Sequence, residues 1–165
     1  MAKDSSFDIV SQVDMQEVDN AYNQAARELT QRYDLKDSSS TLEFDKAAPS
    51  FTLTAPSDFV AGQIKDILGS KLVRRDVDLK AVSWGNPEDA SGMMVRYHGT
   101  IVSGIDEDMI KRINKDIKAA KFKAKTQIEG DKIRVSSPSR DILQDIIVFV
   151  KEKDYDVPLQ FVNYR

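Results

Sequence analysis

Cysteine is absent from this 165-residue chain. That excludes a disulfide framework, a thiolate metal site and cysteine catalysis, and it fits a reducing compartment. There is a single histidine, His98, beside Tyr97 on an expected strand and without a neighbouring ligand cluster. It reads as an exposed or hydrogen-bonded strand residue rather than a general base. No Walker-type glycine loop, no GxGxxG run and no nucleophile motif occurs. The acids Asp106, Glu107 and Asp108 fall where a helix start favours negative charge, so they do not argue for a metal. No run approaches the ~20 apolar residues of a membrane span. Met1-Ala2-Lys3-Asp4-Ser5-Ser6 lacks the apolar core of a signal peptide. The expectation is a cytoplasmic protein that is not an enzyme, with no catalytic residue, metal or cofactor assigned.

What is present is ordinary globular composition: 41% hydrophobic and 31% charged residues, with a formal net charge of −3. The average hides an asymmetry. Residues 1–60 carry five Lys/Arg against eleven Asp/Glu, whereas residues 111–134 carry nine Lys/Arg against three acids. An acidic total argues against an indiscriminate nucleic-acid coat, and one basic segment leaves room for a local anion site.

Along the chain, Phe7–Val13 reads as a strand. Asp14 is placed to cap a helix running to about Tyr33, with Glu17 completing a capping-box-like pattern. Thr41–Asp45 and Ser50–Ala55 read as strands, and Pro56 ends the second of them. Ser57 caps the next helix, whose buried side is Ile64, Ile67, Leu68 and Leu72. Val77–Val82 is a further strand, and Ser83–Gly92 a loop rich in Gly, Pro and Asn. The pattern then restarts. Met93, Val95, Tyr97 and Ile101 share one face of a strand, and Asp106 opens a helix carrying Ile110, Ile113 and Ile117. A hairpin follows at 125–136, then a Ser139-capped helix to about Lys151, and last a strand at 158–164. Leu53-Thr54-Ala55-Pro56-Ser57 and Val135-Ser136-Ser137-Pro138-Ser139 mark equivalent points in the two halves. Each half reads strand–helix–strand–strand–helix–strand. That predicts an α+β chain of two small domains, each with an antiparallel sheet and two helices on one face.

The hairpin concentrates the chemistry. Thr126, Ile128, Ile133 and Val135 alternate with Lys125, Gln127, Lys132 and Arg134, and Gly130-Asp131 supplies the turn. The register places Lys125, Gln127, Lys132 and Arg134 together on the open sheet face. Ser139 and Arg140, with exposed backbone N–H groups at Ser139–Asp141, are candidates for a second phosphate. Trp84, the only tryptophan, is the candidate stacking residue for a base, though packing across the interface between the two domains is the readier explanation. Phe161 and Tyr164 fall on opposite faces of the last strand, so at most one can meet a ligand. The third strands of the two halves, Ser50–Thr54 and Lys132–Ser136, lack the aromatic run by which RNA-recognition domains read bases.

Three segments carry a resemblance. Ser6-Phe7-Asp8-Ile9-Val10-Ser11, Gln127–Val135 with Ser139-Arg140-Asp141, and Gln160-Phe161 with Asn163-Tyr164-Arg165 are similar, in order and spacing, to the bacterial YajQ family. The resemblance implies two ferredoxin-like domains that exchange strands: one spanning 15–102 and completed by strand 93–102, the other made of 1–14 with 103–165. It also implies a nucleotide-binding protein without established catalysis. The ligands it suggests are a guanine nucleotide such as GTP, cyclic di-GMP or tRNA, with a regulatory protein partner as a further expectation and no membrane role. It assigns no ligand contacts residue by residue. The competing reading is a protein-interaction adaptor with no nucleotide ligand.

Overall fold

The computed structural model describes residues 4–165. In chain order the elements are β1 (Ser5–Val10), α1 (Met15–Gln31), β2 (Thr41–Asp45), β3 (Ser50–Ala55), α2 (Asp58–Arg74), β4 (Val82–Trp84), β5 (Glu88–Ala90), β6 (Met94–Ile101), α3 (Glu107–Ala119), β7 (Lys125–Glu129), β8 (Lys132–Ser137), α4 (Arg140–Lys153) and β9 (Gln160–Val162). The chain divides into two compact units. One is Val13–Val102; the other joins the residues up to Gln12 with Ser103–Arg165. Each holds one antiparallel sheet and two helices.

In the unit of residues 13–102, the sheet order is β2-β3-β6-β4, with β5 also paired to β6. Asp14 caps α1, accepting from the N–H groups of Gln16 and Glu17. The Glu17 carboxylate, expected to complete a capping box, stands 3.2 Å from the Arg75 guanidinium at the end of α2. The stripe Val18, Ala21, Ala25 and Leu29 is buried. The helix ends at Gln31, and Tyr33 is 90% exposed rather than part of that stripe. Ser57 caps α2 through Val60 N–H. Alternation along β3 and β6 turns Phe51, Leu53, Ala55, Tyr97 and Ile101 into the core beneath the helices. Met93 departs from the expectation: it precedes β6 and is 95% exposed. The strand expected at Val77–Val82 is mostly a short 3-10 turn at Leu79–Ala81, and pairing begins only at Val82.

In the other unit the order is β7-β8-β1-β9. β1 lies between β8 and β9, antiparallel to both, with Asp8 opposite Arg134 on one side and Val162 on the other. Phe7, Ile9, Ile133 and Val135 face α3 and α4, where they meet Ile113, Ile146 and Val150 in a continuous core. α3 is capped by Asp106 through Met109 N–H.

Candidate functional site

The β7–β8 hairpin turns at Gly130, whose φ of 63° lies in the left-handed region that glycine enters without steric penalty. Its register pairs Lys125 with Ser136, Gln127 with Arg134 and Glu129 with Lys132. In an antiparallel ladder directly opposed residues share a face. The four sequence-predicted residues Lys125, Gln127, Lys132 and Arg134 therefore stand on the face away from the helices. Pairing with β1 adds Ser6 and Asp8 to that face, opposite Ser136 and Arg134.

Asp8 is the residue that sequence reasoning missed. Its side chain is only 1% exposed, and it lies amid the cations of the hairpin. Arg134 Nε donates to Asp8 Oδ1 at 3.1 Å, and Asn163 Nδ2 donates to Asp8 Oδ2 at 2.8 Å. Lys132 Nζ stands 3.6 Å from the same carboxylate. Glu129 completes the group, 3.4 Å from Arg134 and 3.9 Å from Lys132. Burial pushes the Asp8 carboxyl up. The hydrogen bonds from Asn163 and Arg134 and the charges of Arg134 and Lys132 outweigh it, holding the group below the usual carboxylate range. The Arg134 guanidinium is pushed up by its hydrogen bond to Asp8 and by the charges of Asp8 and Glu129.

The face thus holds three cations and two acids. Lys125 is exposed and, among the described residues, has no carboxylate within ion-pair distance. Arg134 spends its Nε on Asp8 and faces Glu129 with one terminal nitrogen. A guanidinium has five N–H donors, so part of the fork remains for a ligand. One signal for Asp8 was in the sequence: it is a charged residue between Phe7 and Ile9 on a strand, so it must point away from the core. Nothing local indicated which strand it would face.

Ser139 caps α4, accepting from Ile142 N–H at 3.4 Å, and its own N–H donates to Ser137 Oγ at 3.2 Å. Of the three backbone N–H groups expected to await a phosphate, that of Ser139 is therefore already used. Arg140 Nε reaches Ser5 Oγ at 3.4 Å. It borders a cleft of about 300 Å³ with Ser5, Ser6, Tyr164 and Arg165. The expected opposition of Phe161 and Tyr164 is also corrected. Both rings lie about 6 Å from Phe7, at 5.9 and 6.1 Å. Asn163 adopts φ 58°, which breaks strand alternation between them.

Trp84 belongs to the unit of residues 13–102 and is on a strand, not in the expected loop. Its ring stacks on Phe51, with centroids 6.3 Å apart, and sits over Gly99, its partner on β6. A Cβ at Gly99 would come within 2.9 Å of that ring, so only glycine allows this approach. His98 is exposed on the open face of β6, 3.4 Å from Thr52 Oγ1 and 3.7 Å from Glu88.

Fold and site together define an α+β protein of two sheet-and-helix units, one of which presents a cation-rich sheet face ordered by a buried carboxylate. The sequence comparisons narrow this class. Residues 5–165 match the family described as nucleotide-binding protein YajQ-like. Proteins named nucleotide-binding protein from Bacillus cereus strain AH187, Bacillus anthracis strain A0248 and Bacillus thuringiensis subsp. konkukian strain 97-27 are each 47% identical over 165 residues, covering all of both chains. The chain belongs to the YajQ-like family of nucleotide-binding proteins. No described helix is long and apolar enough to cross a membrane.

Proposed function

We propose that this chain is a non-enzymatic regulator that binds a guanine nucleotide, cyclic di-GMP or tRNA on the open face of β7, β8 and β1. In this reading each unit is a ferredoxin-like domain, bounded at 15–102 and at 1–14 with 103–165, and the strands exchanged between them are β1 and β6. The observation that carries the site is the buried Asp8 holding Arg134 at 3.1 Å. It fixes the guanidinium without using its whole fork, which leaves donors for the bidentate grip on phosphate that arginine favours. Lys132 is bound to both acids at long range, 3.6 and 3.9 Å, so turning it toward a phosphate gives up little. Lys125 adds a free charge and Gln127 an amide able to read a base edge. Ser139 and Arg140 form the second phosphate subsite, with the N–H groups of Arg140 and Asp141 as its donors. Trp84, on β4 of the unit of residues 13–102 and stacked on Phe51, is not part of that face.

A titration with GTP, cyclic di-GMP and tRNA at two salt concentrations tests the reading. The double variant Lys132→Ala/Arg134→Ala is expected to weaken the true ligand by roughly a hundredfold, two charge-assisted contacts being lost. If tRNA is the ligand, the salt dependence should fall by about two phosphate contacts. Binding as tight as the parent's for all three ligands would remove this face from consideration.

A further inference from the structure

We propose that the cleft between α2 and β4, within the unit of residues 13–102, binds a small amphipathic carboxylate with an apolar chain or ring. The cleft has a volume of about 610 Å³, inside the roughly 300–1,000 Å³ of small-molecule sites. Its walls are Leu68, Leu72, Val73, Leu79, Val82 and Trp84, with Lys65 and Arg74 as its cations and Asp66 as its acid. Val73 and Leu79 are 53% and 55% exposed, leaving apolar surface that faces water until something covers it.

Lys65 supplies the recognition. Its ammonium sits 3.5 Å from the centre of the Tyr97 ring and 5.1 Å from that of Trp84. Among the described residues no carboxylate comes within ion-pair distance of it. The neighbouring acid, Asp58, accepts the Tyr97 hydroxyl at 2.7 Å. Burial pulls the Lys65 pKa below the usual lysine value, and the charge of Asp58 opposes that pull. A partly desolvated cation over two aromatic faces and beside an apolar wall lacks a counter-ion. An amphipathic anion would supply both the counter-charge and the cover. No residue of β7, β8 or β1 lines this cleft, so the site is independent of the hairpin face.

Because Trp84 is the only tryptophan, its emission reports on the cleft directly. The full chain is titrated with 8-anilinonaphthalene-1-sulfonate, followed by displacement with decanoate. The expected result is saturable, decanoate-reversible quenching of Trp84. Lys65→Met should weaken the anionic probe roughly tenfold, an ionic hydrogen bond being lost. The same variant should leave neutral N-phenyl-1-naphthylamine within about twofold, since the methionine keeps the apolar stem. Val73→Glu should weaken both probes. Absence of saturable quenching, or full-strength binding by Val73→Glu, overturns the proposal. Should Lys65→Met fail to fold, Val73→Glu at its exposed position decides the matter.

Discussion

The two units share a four-strand antiparallel order, with β5 added in one, and give its open face different characters. In one, β3 and β6 pair Thr52 with His98 and Thr54 with Arg96, and the open face carries hydroxyls, an exposed histidine and separate exposed charges such as Glu43 and a loosely held Glu88. In the other, β8 and β1 pair Arg134 with Asp8, and the same central location carries a charge network gathered round one buried carboxylate. The difference is one of desolvation. His98 and Glu88 have side chains 51% and 60% exposed, so their attraction is screened and contributes little. Asp8 is enclosed, and there a charge persists only when fully partnered. The same strand order therefore carries different charge chemistry on its solvent side in the two units.

The largest expected effect tests that contrast. Asp8→Ala should cost about 3 kcal/mol of stability by leaving Arg134, Lys132 and Asn163 without their shared acceptor, whereas His98→Ala should stay within about 0.5 kcal/mol. Urea midpoints measure both, and equal losses would break the comparison. The pH dependence carries a sign. Asp8 has a lowered pKa in the folded state, so its contribution is fully present above its unfolded value of about 3.9. It is lost as the pH falls through the folded value. The stability gap between parent and Asp8→Ala should stay flat from neutral pH to about 5 and close in stronger acid.

Next in size, Gly99→Ala should cost about 2 kcal/mol by driving a methyl into the Trp84 ring. A fluorescence-monitored unfolding curve reads the loss and the displaced indole together. No comparable glycine lies on β1, so the test separates how the two units pack their third sheet position.

The smallest effect concerns the basic face. Glu129 faces both Arg134 and Lys132, so on the proposed reading its charge opposes a phosphate there. Glu129→Gln should tighten the nucleotide ligand by roughly threefold, a modest surface electrostatic gain. Weaker binding would show that Glu129 positions the cations instead.

Much of the scaffold was legible. Asp14, Ser57, Asp106 and Ser139 each cap the helix they precede, because a short acceptor side chain at an exposed N-terminus has an immediate partner. The hairpin register followed from alternation around Gly130. The illegible parts are those where local rules were overridden. Met93 continues the apolar alternation of β6 but lies outside the strand. Trp84 looked like a loop residue because its partners, Phe51 and Gly99, are distant in sequence. Tyr164 escaped prediction because Asn163 takes a left-handed conformation, which alternation cannot foresee.

The sequence by itself determined the periodicities, the caps, the turn and the clustering of cations on one hairpin face, all of which depend on neighbours within a few residues. Only the tertiary structure decided what those cations meet. Arg134 and Asp8 are 126 positions apart, and they come together because β1 is inserted between β8 and β9. A buried charge requires a partner, but the chain can supply it from any distance, so its identity is fixed by strand order and not by local pattern.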